Sequence, residues 1–247
     1  MKKLIQLSIL SLLITAAMIS CKKSDPEPDV LKILGLTEKV GNVGYKELDE
    51  ALTKWSLVNG ADDKNPFLDE KGDQSQTAKQ PLAGFTILPS NFGGKSTRTL
   101  TIPAANYVYL SPVGVVTWFY ENDKCDPDFK PKAGQTLKEF LYEEMATYFD
   151  LSKATASVLL DGTELITDKT KVRWQSEVFD IVNIHKDWNS TLPCDYTGKT
   201  AKVVSDSYAV FLKLPKGKHV LVMRGVIPNA DPANVFEAIV TWNLTVE

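Results

Sequence analysis

The chain has 247 residues, 28 of them basic and 31 acidic, for a formal net charge of −3, and 43% of them are hydrophobic. This balance is that of a globular protein. No basic stripe runs along the sequence, which argues against a nucleic-acid partner.

Met1 to Ser20 reads as a targeting segment. Lys2 and Lys3 form a basic start, and Leu4 to Met18 form an apolar run too short and wrongly flanked to span a bilayer. Ala17-Met18-Ile19-Ser20-Cys21 resembles a bacterial lipobox, with the small Ser20 just before the cysteine. That resemblance implies cleavage before Cys21 and acylation of its thiol and amine; several acyl chains suffice for stable anchoring. Removing residues 1–20 leaves 26 basic against 31 acidic residues, a formal charge of −5. Lys22 to Asp29 is charged and proline-rich, so residues 21–30 are expected to form an extended tether. The acids behind the cysteine are similar to the export signals of Bacteroidetes surface lipoproteins, although two lysines precede them. The expected location is the bacterial outer membrane, with the periplasmic or external face left open and the lipid bilayer as first partner.

Leu31 to Leu36 is a short apolar piece. Tyr45, Leu48, Ala51, Leu52 and Trp55 then recur at helical spacing, which predicts a helix over Tyr45 to Ser56. Asn59 to Gln80 is a polar loop rich in acids (Asp62, Asp63, Asp69, Glu70, Asp73). It departs from a calcium-binding EF-hand loop, because Phe67 and Leu68 fall where a ligand and a glycine are needed. Ala83 to Leu88 is a strand candidate. Thr97 to Ile102 alternates polar and apolar residues, and Tyr107 to Tyr120 is long, aromatic and β-branched, interrupted at Pro112 and Gly114. Thr136 and Glu139 form a capping box ahead of a helix to Phe149. Asp161-Gly162 between apolar runs predicts a hairpin. Val172 to Val182 reads as one strand, Tyr208 to Leu214 and Lys218 to Val226 as a hairpin, and Val235 to Val246 as the last strand. The order is many strands with two helices, which predicts a mainly β fold: an antiparallel, jelly-roll-like β-sandwich over residues 81–247, preceded by a helical and loop addition over residues 31–80.

Few residues point to chemistry. Gly93-Gly94-Lys95-Ser96 looks like the end of a phosphate-binding loop, but Pro89 stands where its first glycine is needed and a strand follows. His185 and His219 lie in no metal-ligand spacing, and no GxSxG elbow is present. No cofactor and no metal are therefore expected. Cys125 and Cys194 either pair, remain free or hold a metal; neither has a CxxC partner, and in an exported, oxidising setting we expect a disulfide. Glu121 and Asp123 head an acid cluster that could hydrolyse a glycosidic bond. Trp118, Trp174 and Trp242 sit within strand patterns and suit the core. Trp188, in a polar loop beside Asp187 and Asn189, is the ring best placed to stack on a sugar.

Four stretches carry a resemblance. Arg98 to Leu110 (RTLTIPAANYVYL), Asn65 to Gly72 (NPFLDEKG) and Val204 to His219 (VSDSYAVFLKLPKGKH) are similar to motifs of a group of secreted bacterial β-rich proteins with an R-x-x-x-[VI]-P-A-x-x-[YF] signature, and Trp242 to Val246 is similar to that group's closing strand. The resemblance covers most of the chain after residue 50 and implies one continuous β-rich domain. It implies no activity and no catalytic residue, and Leu100 stands where the group often has cysteine. The expectation is a non-catalytic module for a glycan or an envelope protein. The alternatives are hydrolysis through Glu121 and Asp123, or a structural role in an envelope assembly.

Overall fold

In the computed structural model of the chain, the described residues are 30–62, 64–189, 194–228 and 235–247. The targeting segment, Cys21, residues 22–29 of the tether and Asp63 lie outside them. Among the described residues there are two α-helices and eleven strands. In chain order they are β1 (Lys32–Leu34), α1 (Tyr45–Val58), β2 (Phe85–Leu88), β3 (Gly94–Ile102), β4 (Tyr107–Tyr120), α2 (Leu137–Tyr148), β5 (Thr155–Leu160), β6 (Thr163–Glu164), β7 (Arg173–Gln175), β8 (Phe179–Val182), β9 (Thr200–Lys213), β10 (Gly217–Ile227) and β11 (Phe236–Val246).

The strands form two sheets. The first runs β1-β9-β4-β2, with β7 and β8 also on β9; the second runs β3-β11-β10-β5-β6. Long β9 takes β1, β7 and β8 along successive parts of one edge and β4 along the other. Both sheets are mixed, which corrects the expectation of antiparallel pairing throughout. β2 runs parallel to β4, and β3 parallel to β11. The cause of the first is the route of the chain: it leaves the first sheet after β2, adds β3 to the second, and returns as β4 beside β2. The stretch expected as one strand from Val172 to Val182 is two short strands, with Ser176 between them bonded to Ser205.

Apolar side chains of both sheets meet in one cluster, including Leu110, Val210 and Leu212 from the first and Met223, Val240 and Trp242 from the second. Helix α2 adds Phe140, Leu141 and Met145 to that cluster, and Thr136 caps it as the capping box predicts. The sheets approach closely where β4 bulges between Leu110 and Val113. Opposite the bulge stands Gly225, where an added Cβ would lie 2.3 Å from the Pro112 carbonyl oxygen. The other face of the first sheet is covered by α1. Tyr45, Leu48 and Leu52 of α1 pack on Tyr109, Ala209 and Phe211 of the sheet. Cys125 and Cys194 are joined by a disulfide, Cα atoms 5.9 Å apart, linking the loop after β4 to the loop before β9.

Candidate functional site

Helix α1 places an acid in its buried stripe. Tyr45, Leu48, Asp49, Leu52, Thr53 and Ser56 are all buried, the three- and four-residue spacing of one helical face. Asp49 is 3% exposed. Its Oδ1 accepts hydrogen bonds from Tyr109 Oη at 3.2 Å and Ser207 Oγ at 3.1 Å, and its Oδ2 accepts one from Ser205 Oγ. Ser205 and Ser207 alternate with Asp206 along β9, so both hydroxyls point to the α1 side, while Asp206 points away and binds Arg173 at 2.6 Å. Burial pushes the Asp49 carboxyl up to about 6, against the three hydroxyl donors that lower it; the charged neighbour Glu50 adds to the rise. The same burial raises the Tyr109 hydroxyl well above its ordinary value.

Beside Asp49 lies a cavity of about 110 Å³. Its α1 wall is Asp49, Leu52, Thr53, Ser56 and Leu57; its sheet wall runs from Ser111 to Val116 with Ser205 and Ser207. The room exists because the sheet presents small residues there. Gly114 has no side chain, and a Cβ on it would sit 3.0 Å from the Ser207 Cβ. The remaining wall is Phe67, Ser90, Asn91, Phe92 and Phe236. Phe92 is 46% exposed and marks the outward side. It stacks on Phe67, ring centres 5.1 Å apart, and leans on Trp188 at 5.3 Å.

Arg98, 1% exposed, holds the loops that carry this aromatic wall. It donates to the carbonyls of Pro66, Phe67, Pro89 and Ser90, at 3.0–3.4 Å, and its guanidinium lies 5.2 Å from the Trp242 ring centre. Burial lowers its pKa to about 10, partly offset by the nearby acids Asp69 and Glu70. Asp69 is itself buried, and accepts backbone bonds from Lys71, Gly72 and Gln74. Asn65 bonds the Ser56 carbonyl, fastening the same loop to the end of α1.

The residues singled out from sequence lie elsewhere or serve other ends. Trp188 is half-buried, and its Nε1 donates to the Asn59 carbonyl at 2.7 Å. It touches the cavity wall through Phe92. Glu121 is exposed, whereas both Asp123 oxygens are engaged, one by the Cys125 backbone and one by Tyr196 Oη at 2.6 Å. Asp123, Cys125 and Cys194 fall within 4.8 Å of one another, but the two sulfurs are bonded to each other, so neither is a thiolate ligand. In the sequence Asp49 is masked by the apolar residues that define the helix face; its place four residues after Tyr45 and four before Thr53 is the spacing that puts it on that buried face. No family model, curated protein or solved structure matches the chain.

Proposed function

We propose that the chain is a lipid-anchored, non-catalytic binding module of the bacterial envelope, built on a jelly-roll-type sandwich, and that it binds its ligand in the hollow beneath α1. The observation that carries this reading is a cavity of about 110 Å³ backed by a fully buried carboxyl group. An engineered cavity of roughly 150 Å³ admits benzene, so this hollow takes one ring-sized group and not a run of sugars. The ligand is a small molecule, or the terminal group of a larger envelope component. Anchoring through Cys21 would hold the module at the membrane.

The hydrolase alternative draws little support from the loop acids, because Asp123 is committed to Tyr196 and the Cys125 backbone. Ligand-detected NMR with fragments of about six non-hydrogen atoms tests the binding reading, with a glycan array on the same preparation. Fragment binding that a cavity-filling Ser56→Leu variant abolishes is the expected result. Fragment binding unchanged in Ser56→Leu would place the site elsewhere. New reducing ends from an array hit, lost in Asp123→Asn, would favour the enzyme.

A further inference from the structure

The cavity beneath α1 is lined by apolar side chains, neutral polar groups and a single acid. Leu52, Leu57, Val116 and Phe92 supply much of the apolar wall, and Asp49 is the one ionisable residue of the described lining, beside neutral groups that include Ser205 and Ser207. Among the described residues, the donors to Asp49 are three neutral hydroxyls, from Tyr109, Ser205 and Ser207. Its strongest charged neighbour is Glu50, of like sign. A carboxylate has room for about four hydrogen bonds, so three donors leave one place on Oδ2. A buried carboxylate without a counter-charge is costly, and a cation brought within hydrogen-bond distance relieves that cost while gaining a short charge-assisted bond.

We infer that the hollow beneath α1 binds a compact apolar molecule, or a terminal group, that carries one primary ammonium, with the ammonium bonded to Asp49 and the hydrocarbon body against the apolar wall. This rests on the binding reading above and specifies its ligand. The size follows from the volume: about six non-hydrogen atoms, a five-membered ring with one amino group. The charge follows from Asp49 and its neutral neighbours. An anion is rejected by the same carboxylate, and a neutral alcohol of equal shape satisfies the open lone pair but brings no charge. Access is by way of Phe92, the exposed wall residue, which is followed by Gly93 and Gly94 at φ 109° and 78°, conformations that glycine adopts without strain.

The test uses the purified full chain and two isosteric probes, cyclopentylamine and cyclopentanol, titrated at pH 7.5 by chemical-shift perturbation. Cyclopentylamine is expected to bind at least about tenfold more tightly than cyclopentanol, with shifts at Asp49, Ser205 and Ser207. The near-isosteric Asp49→Asn variant should bring the two affinities within about twofold of each other by weakening the amine alone. Equal binding of both probes by the wild-type protein would overturn the ammonium assignment and leave the cavity reading standing. An amine preference that survives Asp49→Asn would also overturn it. No binding of either probe would sink both readings. Should Asp49→Asn fail to fold, the wild-type ratio still decides, and Ser56→Leu, which leaves Asp49 in place, must abolish binding of both probes.

Discussion

Replacing Asp49 by asparagine should make the protein more stable at high pH and slightly less stable at low pH. The carboxyl rises from 3.8 to about 6 on folding, which corresponds to about 3 kcal/mol of differential interaction. The sign follows from linkage. Below the unfolded value both states hold the proton, and the contribution to stability is fully present. Between that value and about 6 the unfolded chain ionises while the folded one keeps its proton, so stability falls as pH rises, and above about 6 the loss is complete. Asparagine does not ionise and escapes this loss. It can still accept from Tyr109 and Ser207, but its amide must donate to Ser205, whose hydroxyl then has to turn away. That rearrangement costs about 1 kcal/mol at any pH. At pH 4, just above the unfolded value, wild type has already lost about 0.5 kcal/mol, so the variant is expected to be less stable by only about 0.5 kcal/mol there and more stable by about 2 kcal/mol at pH 8. Urea unfolding of both proteins at the two pH values measures this, and subtracting one protein from the other cancels the remaining titrations. A difference that is the same at pH 4 and pH 8 would show that Asp49 carries no uncompensated charge and would remove the electrostatic basis of the ammonium site.

Arg98→Met should cost about 3 kcal/mol in urea unfolding, because the carbonyls that Arg98 bridges lose buried donors; a loss under 1 kcal/mol would mean that water replaces the guanidinium. Gly225→Ala should lower stability by about 3 kcal/mol or more, since the new methyl meets the Pro112 oxygen of the opposite sheet; a neutral thermal midpoint would mean that the sheets separate freely. The Cys125–Cys194 bridge spans a sequence separation of 69, and the chain-entropy account assigns such a loop about 4 kcal/mol. Titration of the unfolded, unreduced protein should find neither thiol reactive, and the double serine variant should unfold at lower urea. Cys21→Ala should abolish metabolic incorporation of a palmitate analogue, and labelling at the wild-type level would refute lipid anchoring.

Much of the secondary structure was legible in the sequence because it is written in local chemistry. Thr136 and Glu139 announce α2 through a capping box, Asp161-Gly162 announces the β5–β6 turn, and the alternation from Thr97 to Ile102 announces β3. The first half of β9 was not legible. Ser205-Asp206-Ser207 breaks the apolar run, so the sequence pattern starts the strand at Tyr208, whereas it begins at Thr200. Those polar residues sit in a buried strand because their partners come from elsewhere: Asp49 for the two serines, Arg173 for Asp206. Tertiary structure alone decides such matters. The bonds joining Asp49 to Tyr109, Ser205 and Ser207 span 60, 156 and 158 positions, and no periodicity reaches across those distances. The parallel pairing of β2 with β4 likewise depends on β3 joining the other sheet. Local propensity determines which stretches become strands and helices; which polar groups end up sharing a cavity is decided when the sheets and α1 pack and every buried donor and acceptor must find a partner.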